Sequence, residues 1–352
     1  MAQRFENPRE ILGERLRPGT IYRFLADFGA ELFPDDYFAD LYLSSPRGRP
    51  TIPARVLATV TLLQSHEGLS DREACDRLEV DLRWQAAAGL DTGAEAFHPT
   101  VLVGHRNRLR ASDRPRRLFE DTKALAHSAG VLKGRARVLD STPLYDSVAT
   151  QDTVTQLRAA IRKLLRALDQ DFPTLATKVR LLLSRDDDYA SVGKPPCDWD
   201  DRGAREALVD ALVRDGHAAL AALEGATLVG AAADAAALLA LVVGQDVAEG
   251  GDGVFRIVRG VAKDRVISTV DPEARHGHKS ANRRFDGYKT HASIDPDSEL
   301  VDEVVVTPAN APDRDAVDDL LAPSAEEDDK PEVVGDSAYA GAETRDKAKQ
   351  AG

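Results

Sequence analysis

The stretch spanning 287–309, GYKTHASIDPDSELVDEVVVTPA, decides the fold. In its first part Tyr288, Thr290, Ala292 and Ile294 alternate with Lys289, His291 and Ser293, the period of a strand. Asp295-Pro296-Asp297-Ser298 supplies a turn, and LVDEVVVTPA returns as a second strand. Downstream, Asp313 to Leu321 reads as a short helix. PEVVGDSAYAG then gives an apolar strand, Val333-Val334, ending at Asp336 and followed by a charged helix to Gly352. Upstream, FRIVRGV and DRVISTV are short β-rich runs, and Arg137-Val138-Leu139 is a short strand ending at Asp140. Between them TVTQLRAAIRKLLRAL (153–168) is amphipathic, and 203–223 and 231–243 read as further helices, closed by the Gly-rich AEGGDG. The order predicts an α/β (α+β) domain over 131–352, interrupted after its first strand by a helical insertion at 153–253.

Residues 1–130 read as a separate, mainly helical domain. VLATVTLLQSHEG places Val56, Leu57, Val60 and Leu63 at helical spacing and ends at Gly68. In GLSDREACDRLEVDLRWQAAAGL, Ser70 is an N-cap and Glu73 completes a capping box. Ala74 and Leu78 face inward, and Leu82, Trp84 and Leu90 belong to the next helix. Two such helices suit a helix-turn-helix, and they suit any small helical bundle. Next, Arg106, Arg108, Arg110, Arg114, Arg116 and Arg117 crowd into twelve positions. They read either as a solvated helix face or as a surface for an anionic partner.

The formal charge of −13 argues at first against nucleic acid, but the regions differ. Residues 104–137 hold ten basic and three acidic residues, 255–291 nine and four, and 292–352 five and seventeen. Two basic stretches are thus hidden by an acidic end. Cys75 and Cys197 can make neither a disulfide framework nor a four-ligand zinc site. The start, MAQRFENPREILGERLRPG, is no signal peptide. The most apolar stretch, 226–244, is interrupted by Asp234 and reads as a buried Ala-rich helix with no membrane span. The expectation is a soluble, cytoplasmic protein.

Asp140 and Asp336 each close a short apolar run and precede small polar residues. One reading makes each a turn-former or helix cap. The other sets both on the carboxyl rim of neighbouring strands, where paired carboxylates need a hard cation such as Mg2+ between them. Two such ions would serve phosphodiester chemistry. His276 and His278 share a strand face without further ligands nearby, so they join Arg275, Lys279, Arg283, Arg284 and Lys289 as a basic surface spaced for phosphates, or as a solvated hairpin. No GxxxxGK[ST], GxGxxG or GxSxG occurs where a nucleotide cofactor or acyl transfer would need it.

Four segments carry a resemblance. VLDSTPLYDSVATQDTVTQLRAAIR, RVISTVDPEARHGHKSANRRFDGYKTHASIDPDSELVDEVVVTPANAPD and VVGDSAYAG resemble the DDE transposases of bacterial insertion sequences. RPTIPARVLATVTLLQSHEGLSDREACDRLEVDLRWQAAAGL resembles their InsH-type N-terminal domain. The resemblance implies a ribonuclease H-like catalytic domain and a helical domain, 1–130, that recognises the element's ends. It implies Mg2+-dependent hydrolysis there, with two ions in an intact site and Mn2+ as a substitute. The freed 3′-hydroxyl would then attack target DNA. Asp140 matches the first catalytic, metal-holding aspartate and Asp336 the second.

Double-stranded DNA is the implied partner, and assembly on paired ends implies a homodimer. Arg72, Arg106, Arg108, Arg110, Arg114, Arg116, Arg117, Lys279, Arg283, Arg284 and Lys289 become candidates for DNA contact. The sequence departs from the family's pattern at the third carboxylate, a glutamate on a helix well downstream of the second aspartate. Glu343, in the helix directly after Asp336, is not at that place and the role is not transferred to it. The expectation is a transposase truncated at its C-terminus, without the last strand and helix of its sheet and inactive as given. The alternative is a non-catalytic DNA-binding remnant that occupies element ends.

Overall fold

The computed structural model describes residues 7–42, 52–128, 130, 132, 135–145, 148–260, 262–280, 282–322, 331–336, 338, 339, 341 and 345. The expected charged helix after Asp336, with Glu343, lies almost wholly outside these residues. The chain divides into two compact units, Met1–Leu132 and Lys133–Gly352.

The first unit is helical, and its helix ends follow from local capping chemistry. Helix α1 (Pro8–Leu12) starts with proline and is capped by Asn7, and α2 (Ile21–Leu32) is capped by Thr20. Helix α3 (Ala54–Glu67) stops at Gly68, which takes the left-handed conformation at φ 67°. The expected capping box opens α4 (Asp71–Val80): the Glu73 N–H donates to Ser70 Oγ at 3.3 Å and the Ser70 N–H to Glu73 Oε2 at 2.8 Å. Then follow α5 (Leu82–Ala88), α6 (Thr100–Ala111) and α7 (Arg117–Ser128). Leu25, Leu57, Leu63, Leu78, Trp84 and Leu102 form the core. Burying Trp84 obliges its indole N–H to find an acceptor, and Glu67 Oε1 takes it at 2.7 Å together with the Tyr22 hydroxyl at 2.6 Å. Burial pushes the Glu67 carboxyl up, yet these two bonds and the charges of Arg77 and Arg83 hold it below the usual range.

Of the two readings of this region, the structure favours the bundle. Five of the seven residues of α5, Trp84 to Ala88, are buried, so this helix has no free face to lay in a DNA groove. Leu90 lies beyond α5, past the left-handed Gly89 that ends it.

His105 on α6 is buried edge-on against Phe38, and its Nδ1 lies 3.3 Å from the Tyr42 hydroxyl. Burial, aided by Arg108, Arg106 and Arg117, pushes its imidazole down to about 4. The folded state keeps it neutral while the unfolded chain, titrating near 6.5, takes up a proton. Stability from this group is therefore complete above about pH 6.5 and is lost as the pH falls toward 4, a change of about 3 kcal/mol. Urea unfolding of the parent and of His105→Gln across this range should show the flatter profile in the variant. Parallel profiles would refute the assignment.

The second unit is mixed α/β. Strand β1 (Ala136–Leu144) is followed by α8 (Thr153–Asp171), α9 (Pro173–Leu182), α10 (Arg202–Ala222) and α11 (Gly230–Gln245), then by the small hairpin β2 (Val247–Glu249) and β3 (Phe255–Ile257). Next come β4 (Arg275–Ser280), β5 (Arg283–Ile294) and β6 (Val301–Pro308). A 3-10 turn (Asp313–Ala316) leads into α12 (Val317–Leu321), and β7 (Glu332–Gly335) completes the described elements. Long β5 holds the mixed sheet together. It pairs antiparallel with β4 over 283–287 and with both β1 and β6, on its two edges, over 288–294, while β7 joins β1 in parallel.

The helices α8 to α11 have their own core of Leu157, Ile161, Leu164, Leu212, Leu239 and Val242. Gly216 lets α10 approach α11, since a Cβ there would meet Val243 Cγ2 at 2.6 Å. Among the described residues no helix is long and apolar enough to cross a membrane. Helix α9, opened by Pro173, was not expected from the sequence. DRVISTV is not a strand: Val266 and Ile267 are buried among the helices, and glutamines serve the backbone there. Gln156 Nε2 donates to Val266 O at 2.9 Å, Gln245 Oε1 accepts from Val266 N–H at 3.0 Å, and Gln151 Oε1 accepts from Thr269 N–H at 2.9 Å. A β-rich composition records only a preference for extended backbone, and side-chain amides satisfy such backbone as well as a neighbouring strand does.

Candidate active site

The register of β1 against β7 brings the two aspartates together. Val138 lies opposite Val334 and Leu139 opposite Gly335, so Asp140 and Asp336 come next on adjacent parallel strands, which run about 4.8 Å apart. Both side chains are exposed and both line one cavity of about 640 Å³. A backbone N–H holds one oxygen of each: Ser141 N–H donates to Asp140 Oδ1 at 2.8 Å and Ala338 N–H to Asp336 Oδ1 at 2.9 Å. Contrary to the sequence reading, β1 does not end at Asp140. It continues to Leu144 along β5, and only its pairing with β7 stops there. Pro143 falls in this edge portion, where a missing N–H is tolerated.

Beneath the carboxylates lies a polar framework that the sequence reading did not assemble. Asp313, in the turn after β6, accepts from Ser141 Oγ at 2.9 Å and from the Lys289 ammonium, which also donates to Ala311 O at 2.5 Å. Burial pushes the Asp313 carboxyl up, but Lys289 and Ser141 hold it below the carboxylate range. Lys289 is thus not the solvated phosphate contact its spacing suggested; its ammonium is tied to Asp313 inside the cavity wall. On β5 the polar set turns inward, with His291 and Ser293 fully buried while Ala292 and Ile294 are half-buried. His291 Nδ1 shares a hydrogen bond with the Tyr339 hydroxyl at 2.9 Å, and Nε2 shares one with Thr307 Oγ1 at 2.9 Å. Burial pushes the His291 imidazole down. Burial, then the charges of Asp313, Asp140 and Asp336, raises the Tyr339 hydroxyl, which stays protonated. The available signals were faint: Tyr339 stands three residues after Asp336, and Asp313 ends PANAPD.

Strand β4 provides another wall. His276 and His278 share its face toward the cavity, joined by Lys279. His276 Nδ1 lies 2.5 Å from Asp286 Oδ1, its direct cross-strand partner. Among the described residues no group of three or more His, Cys, Asp or Glu is arranged to hold a metal ion. Arg283 and Arg284 are exposed at the start of β5 and do not line the cavity.

In the first unit the predicted basic residues separate into kinds. Arg72, Arg108, Arg110 and Arg116 are exposed, Arg108 lying 4.9 Å over the Tyr42 ring and Arg116 5.2 Å over Phe119. Arg106 grips Asp71 with both terminal nitrogens at 2.8 and 2.6 Å, and Arg114 donates to Asp121 at 2.7 Å. Arg117 is buried. It is bonded to both oxygens of Asp40 and to Tyr37 O, so it braces its own unit.

Two family models match the chain. A transposase DDE domain matches residues 259–352, a range that includes Asp336, His276, His278 and Asp313. A transposase domain (DUF772) matches residues 10–108, most of the first unit. Asp140 and the helices α8 to α11 lie outside both ranges. No curated protein and no solved structure matches the chain. With both transposase domains in order along it, the chain belongs to the DDE transposases of insertion sequences.

Proposed function

We propose that this chain, against the expectation of inactivity, cuts and joins DNA at the ends of its element, with Asp140 and Asp336 as the metal-holding carboxylates of a ribonuclease H-like domain. The helices between β1 and the rest of the sheet form an insertion in that domain. A DDE domain implies a divalent metal ion, typically Mg2+. The donors fit one: two carboxylates at equal height on neighbouring strands offer the hard oxygens that Mg2+ prefers. Bound by Asp140 and Asp336, a divalent metal would activate the attacking oxygen and offset charge on the leaving one. Lys279 and His278 orient the phosphodiester, while Asp313, Lys289 and Ser141 hold the β1 backbone at Asp140. Water attacks the phosphodiester at the element's end and breaks its P–O3′ bond, leaving a 3′-hydroxyl on the element and the phosphate on the flanking strand. That hydroxyl then attacks a target phosphodiester, joining to its phosphorus as the target's own 3′-oxygen leaves.

Element ends are held by the first unit through Arg72, Arg106, Arg108, Arg110, Arg114 and Arg116, and by Lys279, Arg283 and Arg284 in the second. Arg117 is left out because its guanidinium is consumed by Asp40. Two copies act on paired ends. The observation that carries the reading is the shared cavity of Asp140 and Asp336, walled by the cationic β4.

The test is a labelled element-end duplex mixed with the full chain, with and without Mg2+ or Mn2+. Binding should weaken with salt along a log–log slope of about −4 or steeper, and cleavage should appear only with metal. Binding without cleavage in either metal would make the chain a DNA-binding polypeptide alone. Absence of binding would remove both halves of the proposal.

A further inference from the structure

Asp140 and Asp336 sit on separate pieces of chain, and a buried hydroxyl ties those pieces together. Asp336 opens a tight turn: its carbonyl accepts from Tyr339 N–H at 3.1 Å, and its Oδ1 accepts from Ala338 N–H at 2.9 Å. The turn folds Tyr339 back over the end of β7, where a Cβ on Gly335 would meet Tyr339 Cβ at 3.0 Å. Tyr339 is 4% exposed and packs with Leu139, Val317 and Leu320. Its hydroxyl therefore ends inside the protein and needs partners there.

Those partners belong to β1 and β5. Ser141, the residue after Asp140, lies directly opposite His291. The Tyr339 hydroxyl meets both: it shares a hydrogen bond with His291 Nδ1 at 2.9 Å and another with the Ser141 hydroxyl. The far end of this chain fixes its proton directions. Asp313, paired with Lys289, only accepts, so the Ser141 proton goes to Asp313. Ser141 Oγ then accepts from the Tyr339 O–H, the Tyr339 oxygen accepts from His291 Nδ1–H, and Nε2 accepts from the Thr307 O–H. Every member of the chain is satisfied in that one arrangement, which makes it rigid.

We infer that Tyr339 is a positioning residue for the metal: its hydroxyl fixes the separation of Asp140 and Asp336, because it bonds the neighbour of one and closes the turn of the other. His291 and Thr307 hold it in place. The inference rests on the metal-holding role proposed above for the two aspartates and adds how their spacing is set. Mg2+ demands near-ideal geometry at about 2.0–2.1 Å, whereas Ca2+ accepts flexible ligands at about 2.3–2.6 Å. A carboxylate pair of fixed spacing discriminates between the two ions, and a pair released from its crosspiece loses that discrimination.

The test measures Mn2+ binding to the full chain by electron paramagnetic resonance, without DNA, with Mg2+ and Ca2+ as competitors. Binding that is lost in Asp140→Asn counts as the site's own, apart from the other acidic side chains. Tyr339→Phe keeps the ring and removes the hydroxyl, and it should lower the preference for Mg2+ over Ca2+ about tenfold. The preference is a ratio taken within one protein, so a general loss of folding stability cancels in it. If Tyr339→Phe does not fold, Thr307→Val takes its place, with a smaller drop expected because it acts at the far end of the chain. An unchanged ratio, including equal weakening of both ions, would overturn the inference and leave the metal site standing. If Asp140→Asn loses no binding, the metal-holding role falls and this inference falls with it.

Discussion

Asp140→Asn and Asp336→Asn are each expected to lower metal-dependent cleavage of the element-end duplex about 1,000-fold, leaving its binding unchanged. A bound cation supplies several kcal/mol of charge stabilisation in phosphoryl chemistry, and each 1.4 kcal/mol is a factor of ten in rate. Asparagine keeps the shape and the carbonyl oxygen that accepts from Ser141 or Ala338 N–H, so either turn survives while the charge goes. The substitution therefore discriminates between the two readings of these residues. A turn-former tolerates it, and a metal-holding carboxylate does not. Thermal melting adds a second readout. Without metal, the neighbouring carboxylates repel across the β1–β7 register, so each variant should melt at or slightly above the parent. With Mg2+ the parent should gain stability and the variants should not. Full cleavage by both variants would falsify the assignment.

Arg137→Ala and Asp302→Ala are expected to destabilise the second unit by about 3–5 kcal/mol each. The side chains are 0% and 1% exposed, and Arg137 Nε lies 2.9 Å from Asp302 Oδ2, joining β1 to β6 past the intervening β5. Arg137 Nη1 also donates to Ala136 O at 3.0 Å. Removing one partner breaks a charge-assisted bond in a place water does not reach, and that is the source of the loss. Replacing both by Arg137→Met and Asp302→Leu should lose less than either single change, because the two opposite charges then leave together. Urea unfolding of the four proteins measures this. Single losses below about 1 kcal/mol would mean that the pair is not enclosed as described. Arg137 stands three residues before Asp140, so loosening this end of β1 should reach the cavity as reduced cleavage in Arg137→Ala even below its unfolding transition.

The elements were legible wherever their signals are local. Ser70 with Glu73, Gly68, and the Asp295 side chain accepting from Asp297 and Ser298 N–H all act within a few residues, and each has the geometry its sequence predicts. The hairpin of β5 and β6 and the helices α8, α10 and α11 follow from period alone. The reading failed where the partner was remote. DRVISTV has the composition of a strand, but glutamines on two helices and a loop take its backbone. The arginine run looked uniform, yet Arg117 is enclosed by Asp40 and Tyr37, far along the chain from it.

By itself the sequence determined the helical first unit, the hairpin, the transposase motifs and the two aspartates after their short apolar runs, because periodicity, capping and motif are written in neighbouring residues. Only the tertiary structure decided that β1 meets β7 in the register that sets Asp140 beside Asp336. It also decided that Asp313, Lys289 and Ser141 interlock under them, and that His291 meets the Tyr339 hydroxyl. These outcomes depend on strand register and on which distant side chains compete for the same buried space. Both are settled by packing and by the need to satisfy buried polar groups across the whole unit, and no local stretch of chain contains them.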